Sequence, residues 1–244
     1  MAVVLSKGDR LSLQDDGEQV LNNICVGVSW GAIVYRNWLG MKKVEPVDLD
    51  LAVAMYHKDR SLIETICYDH DKSSDGAVIH HGDDKVGDLT PEGRDFDNEV
   101  VTVDLSKLRP QVAHLVFMLN SFEWNTFDEI PYIRIRIYEG QPGKPERMLL
   151  NFDVENDKSF AGKVSMILGK VYRAKTPAGM VWRFHGIGEA TPDCELDDLR
   201  RRIAIEHLSL DELTMLSSSV PKQFLSGGMN PVKPKTEARS ALHH

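Results

Sequence analysis

Alternation is the feature that most constrains this chain. Between residues 132 and 138, Ile133, Ile135 and Ile137 occupy one parity, and Arg134 and Arg136 the other. A period of two puts the isoleucines on one face of a strand, where they need a second layer to cover them. Ile24, Val26, Val28 and Trp30 alternate with Cys25, Gly27 and Ser29 in the same way, and residues 51–56 repeat the pattern. Residues 62–68, 100–105, 148–154 and 163–173 read as further strands. Residues 112–119 are apolar except for His114, which predicts a strand buried on both faces. Residues 175–179 carry turn chemistry and join 163–173 to 180–185 as a hairpin, and residues 3–13 read as two short strands about Lys7-Gly8-Asp9. About ten short strands, with no helical period before residue 190, predict an all-β fold, an antiparallel β-sandwich.

The pattern changes near the C-terminus. Thr191-Pro192-Asp193 reads as a helix start, with Leu196, Leu199 and Ile203 at helical spacing behind it. Ser209-Leu-Asp-Glu212 is a capping box that opens a second short helix through Leu213 and Leu216. From Ser217 onward the chain is rich in Ser, Gly, Pro and Lys, with four bases and one acid. The expected organisation is a sandwich over residues 1–190, a short helical appendage over 191–216 and a disordered basic tail over 217–244.

Charge narrows the function. The 244-residue chain has a formal net charge of −8, and residues 69–99 hold ten acids against three bases. That is the wrong sign for a nucleic-acid surface and the right sign for a cation. Three acidic clusters lie at strand ends: Glu45 to Asp50, Asp69 to Asp75, and Gly82 to Glu99. Asp48 and Asp50 are two apart and share a side of an extended chain. Calcium takes six to eight hard oxygens in a flexible cage, and Asp-rich loops with glycines supply carboxylates and inward-turned carbonyls. Asp71-x-Ser73-x-Asp75-Gly76 starts like an EF-hand loop, but its twelfth position is Gly82 and its flanks are strands. On the residues alone, these loops are either a solvated solubilising surface or a calcium site.

Beyond these loops the chain offers little chemistry. Adjacent His80 and His81 face opposite ways on a strand and cannot easily chelate one ion. Cys67 and His70 lack the further ligands of a zinc site. No nucleophile elbow or dinucleotide fingerprint is present. Trp30, Trp124 and Trp182 read as core or loop packing, and Arg134 and Arg136 as a solvated outer face. Three widely spaced cysteines fit a reducing cytoplasm. No segment has the roughly 18 apolar residues of a membrane span, and the N-terminus does not read as a signal peptide. Peripheral association with a membrane remains compatible with the sequence.

Leu5-Ser-Lys-Gly8, Val26-Gly-Val-Ser-Trp30, Val47-Asp-Leu-Asp50, Asp75-Gly76, His81-Gly-Asp-Asp84, Val103-Asp-Leu-Ser-Lys107, Ile133-Arg-Ile135 and Val171-Tyr-Arg173 occur in that order. With these motifs the chain resembles the TerD family of bacterial tellurium-resistance and stress-response proteins over residues 4–188. The resemblance implies a β-sandwich with calcium held by acidic loops. It points to Asp48, Asp50, Asp69, Asp71, Asp75, Gly82, Asp83, Asp84, Asp88, Asp97, Asn98 and Glu99 as ligands. The chain departs from the family in having Pro46 in place of the usual Asp, Asp69 and Asp84 where Asn is common, and a longer loop over residues 87–97. The expectation is a cytoplasmic, non-catalytic calcium-binding protein that meets other stress-response proteins. The alternatives are an interaction scaffold without functional calcium, or an enzyme acting on a small metabolite.

Overall fold

The computed structural model of the protein describes residues 10–12, 23–154, 158–176, 179–193 and 195–208. In chain order the strands are β1 (Arg10–Ser12), β2 (Asn23–Trp30), β3 (Ile33–Arg36), β4 (Lys42–Glu45), β5 (Leu49–Tyr56), β6 (Leu62–Ile66), β7 (Val78–His80), β8 (Glu99–Asp104), β9 (His114–Ser121), β10 (Ile133–Gln141), β11 (Lys144–Val154), β12 (Ser165–Thr176) and β13 (Gly179–Thr191). One helix, α1 (Leu196–Arg202), follows and runs into a π-helical turn over Ile203–His207. A six-stranded sheet has the order β1-β13-β12-β9-β5-β6, and a five-stranded sheet the order β11-β10-β2-β8-β7. Strands β3 and β4 form a separate hairpin. Every ladder between these strands is antiparallel.

The alternating residues build the core between the sheets. Ile133, Ile135 and Ile137 stand opposite Trp30, Val28 and Val26 in register, so both strands aim the same parity inward. They meet Leu49, Leu51, Val53 and Met55 of β5 and Leu115, Phe117 and Leu119 of β9. The predicted sandwich is therefore the fold.

Strand β9 is buried along its whole length, and so is β5. Helix α1 is the reason. Leu199, Ile203 and Leu208 pack on Ala52, Ala54, Val116, Met118 and Ile167, the outer face of the six-stranded sheet. Small residues on β5 let the helix come close, while Arg200, Arg201 and Arg202 are left to pair with Asp197, Asp198 and Asp193.

Several local expectations are corrected. Thr191 ends β13 rather than capping a helix; the N-cap position is Glu195. Asp193 instead accepts from Arg202 at 2.7 Å and ties the helix end back to the strand. Strands β3, β4 and β7 were not apparent in the sequence. Every residue of β3 and β4 except Ile33 is exposed, so no alternation marks them. Arg134 and Arg136 are not a solvated face, because the long loop after Gly87 folds over them. Arg136 is buried with Asp97, its Nε donating to Oδ1 at 2.7 Å, and Arg134 reaches Asp95 at 3.0 Å. Trp124 is exposed on a loop with a φ of 65°, while Trp30 is core. The turn at Lys7-Gly8-Asp9, Cys194, the second helix and the tail over 217–244 lie outside the described residues.

Helix α1 is held by few, fully buried side chains, so one truncation tests it. Leu199→Ala should cost about 2–5 kcal/mol in urea unfolding, as other buried leucine deletions do.

Candidate cation site at one end of the sandwich

Asp48 lies just before β5 and Asp50 is its second residue, and both are buried. The loop after β7 brings Asp83 to them. One carboxylate oxygen from each of the three lies within 4.8 Å of the others. Main-chain bonds fix this approach: Val47 N–H donates to Val86 O at 3.0 Å, and Asp88 N–H to Trp30 O at 2.8 Å. The Trp30 indole N–H donates to Val47 O at 2.8 Å. Gly87 is required where the loop crosses Trp30, since its φ is +75° and a Cβ there would lie 2.7 Å from the indole ring.

Neighbouring polar residues shape the loop. Asp84 accepts from the N–H groups of Val86 and Gly87 and from the Asn98 amide at 2.8 Å. Asn98 in turn accepts from Trp30 N–H at 2.8 Å. Burial works against ionising Asp84, yet these donors hold its carboxyl below the usual range. Glu99 is 1% exposed and sits between the sheets. Its Oε2 accepts from Leu51 N–H at 2.8 Å and lies 3.3 Å from His80 Nε2, and its Oε1 accepts from Asp84 N–H at 3.4 Å.

The electrostatics are those of an excess of negative charge. Burial, then Glu99, Asp48 and Asp83, push the Asp50 carboxyl up to about 7. Burial and then Asp83 raise Asp48, with Lys85 opposing. Burial raises Glu99 despite its donors. Two full charges at this separation repel by about 3 kcal/mol at an effective dielectric near 20. The countercharge beside the cluster is Lys85, whose ammonium is 3.2 Å from Asp83 and whose side chain is 64% exposed. One buried oxygen, Asp48 Oδ1, has no hydrogen-bond partner. An all-oxygen set with an unpartnered buried acceptor fits a hard cation.

The structure distributes the other residues singled out in the sequence around this end. Asp69 accepts from the Cys67 thiol at 3.0 Å. Asp71 is exposed, and its carbonyl accepts from His80 N–H at 2.7 Å. Asp75 closes a turn with Ser73 and Ala77 and meets Arg109; despite burial, these donors hold its carboxyl low. Gly82 has a φ of +113° at the loop entry. Asp88 accepts from the Tyr132 hydroxyl at 2.5 Å. Asp97 is paired with Arg136 and Tyr138, under Gly27, where a Cβ would come within 2.3 Å of its carboxylate. His80 turns inward to Glu99 while His81 reaches Thr102. Burial first, and a nearby Asp next, push the thiols of Cys25 and Cys67 up to about 11 and about 12. A second group, Glu189, Glu206 and His207, sits against Arg202, which pairs with both glutamates. Sequence reasoning did not find the supporting roles of Trp30, Val47 and Lys85, because each acts through a contact that the fold makes.

The TerD domain profile matches residues 1–202. The chain belongs to the TerD family. The match takes in α1, beyond the residue 188 limit of the sequence motifs. Stress response protein SCP2 of Bacillus subtilis is 28% identical over 212 residues, covering 83% of this chain and 99% of its own. Tellurium resistance protein TerZ of Serratia marcescens is 28% identical over 203 residues, covering 82% and 96%. A crystal structure of a TerD homologue from Streptomyces coelicolor superposes with a TM-score of 0.56 at 18% identity, over 78% of this chain and 98% of that one. The last likeness shows that this TerD chain has the fold of that structure.

The raised Asp50 carboxyl sets a pH dependence in chelator. The folded form keeps its proton at pH values where the unfolded form, near the ordinary 3.8, has lost it. Stability should therefore fall as pH rises from about 4 to about 7, by up to about 1.4 kcal/mol per unit, and level off above. Asp50→Asn should flatten that slope in urea titrations.

Proposed function

We propose that this TerD protein binds calcium through Asp48, Asp50 and Asp83, and serves tellurium resistance and stress response as a non-catalytic, calcium-dependent interaction module in the cytoplasm. The observation that carries this is the three-carboxylate convergence around the unpartnered Asp48 Oδ1. Lys85 must yield when the ion arrives, and its exposed stem allows that. Asp84, Asn98 and Glu99 hold the loop and β5 in place around the three acids. The ion supplies positive charge, and the chain supplies the oxygens and the rigid strand ends beneath them. Magnesium, which demands tighter octahedral geometry and keeps its water, fits this loose carboxylate set less well.

The enzyme reading would need a cleft with converging polar groups. An open cleft of about 660 Å³ lies at the other end of β5, lined by His57, Asp59, Ser61, Arg173 and others. Ser61 gives its hydroxyl to Asp59 at 2.6 Å, both within a turn, rather than to His57. Arg173 donates to the carbonyls of Leu108 and Arg109. These contacts favour a structural role. No described helix is long and apolar enough to cross a membrane.

Calorimetry on chelator-stripped protein tests the proposal. Calcium should bind and raise the melting temperature, by about 2.7 kcal/mol of stabilisation at a hundred times Kd. Asp48→Asn with Asp50→Asn should stay folded and lose at least about tenfold in affinity. No heat and an unchanged melting temperature in the parent would leave the scaffold reading in its place.

A further inference from the structure

The β3–β4 hairpin is the least buried part of the described chain. Val34, Tyr35, Trp38, Leu39, Met41 and Val44 are all exposed there, with Trp38 at 91%. Scattered exposed apolar residues are ordinary, but six within eleven positions form a patch that marks an interaction surface. The tip is a built turn. Asn37 Oδ1 accepts from the N–H groups of Leu39 and Met41, both at 3.0 Å, and Arg36 donates to Gly40 O at 2.8 Å. Gly40 takes a φ of +74° to close it. Trp38 and Leu39 are thus held outward by the backbone.

Charge identifies the partner. Arg36 stands directly opposite Lys42 in the ladder, and Lys43 follows. Like charges facing each other across a ladder destabilise it unless an anion offsets them. Among the described residues, none of these three cations has a carboxylate within 4 Å. The hairpin's acid, Glu45, is at its base, where Asn125 reaches it at 3.4 Å. From tip to base the order is apolar at Trp38, Leu39 and Met41, cationic at Arg36, Lys42 and Lys43, apolar again at the Val34–Val44 pair, and acidic at Glu45, so the outer half of the hairpin is sorted by depth. A protein-binding strand sorts its residues by face, whereas a bilayer interface sorts them by depth: indole and aliphatic groups below the headgroups, Lys and Arg at the phosphates.

We propose that the β3–β4 hairpin is a membrane-docking arm, with Trp38, Leu39 and Met41 entering the interface of an anionic phospholipid bilayer and Arg36, Lys42 and Lys43 against its phosphates. The hairpin springs from Trp30 and returns at Val47, so docking sets the cation site close to the headgroups. The proposal does not depend on calcium binding, which the calorimetry above reads without lipid.

Co-sedimentation of the full chain with vesicles tests it, using phosphatidylglycerol–phosphatidylcholine mixtures and phosphatidylcholine alone, in calcium and in chelator. The parent should bind the mixed vesicles in at least one buffer and bind neutral vesicles at least about tenfold more weakly. Trp38→Ala with Leu39→Ser, and separately Lys42→Glu with Lys43→Glu, should each lose at least about tenfold, with melting temperatures that do not fall because all four side chains are exposed. Brominated lipid should quench parent fluorescence more than that of Trp38→Phe. Absence of binding in both buffers, equal binding to neutral vesicles, or full binding by either variant overturns the proposal. So does hairpin-dependent self-association or protein capture with no vesicle binding.

Discussion

A carboxylate taken out of water must be surrounded by donors or by positive charge, and this end of the sandwich is built around that requirement. Glu99 begins β8 in one sheet and accepts the Leu51 N–H of the other. Leu51 lies where β5 has run past its ladder with β6, which begins at Val53. The main-chain donor and the buried acid therefore answer each other. His80 from β7 and the Asp84 backbone complete the set. Fixing β8 to β5 in this way fixes the separation of the sheets at the point where Asp48 and Asp50 emerge. An apolar residue in place of Glu99 would leave the Leu51 N–H buried and unpaired, a loss of the kind that costs about 1–3 kcal/mol.

Two carboxylate environments result. Asp84, Asp75 and Asp97 are saturated with donors and act as struts for loops. Asp48 and Asp50 are buried with too few donors and too many negative neighbours, and their carboxyls rise accordingly. The sequence places all of them in acidic runs of similar appearance. Asp84 and Asp75 are satisfied in part by local turns, but the partners that complete them and Asp97, namely Asn98, Arg109 and Arg136, are brought in by the fold.

The same division explains what could be read in advance. Strands β2, β5 and β10 bury one parity against a core, so their alternation is a direct image of their environment. The apolar run of β9, interrupted by His114 alone over residues 112–119, announced a strand covered twice, and α1 is its second cover. Strands β3 and β4 are covered on neither face and carry no periodic image. Arg136 misleads for a related reason. Its parity correctly places it outside the core, but parity does not report that a loop 39 residues earlier in the chain closes over that outer face. The family motifs located the acidic end, while the pairing of each acid required the fold.

Lys85 gives the site a threshold. Its ammonium is tethered beside Asp83, with Asp48 and Asp50 also acting on it, and Asp83 first among these raises its affinity for its proton. An ion entering the proposed site would compete for Asp83 with a positive charge that is tethered to the chain. Sodium or potassium would exchange one unit of charge for another and gain nothing for its lost hydration. A divalent ion doubles the charge at the same place. If the cluster holds a cation as proposed, the lysine would favour a divalent ion over a monovalent one before cavity size enters.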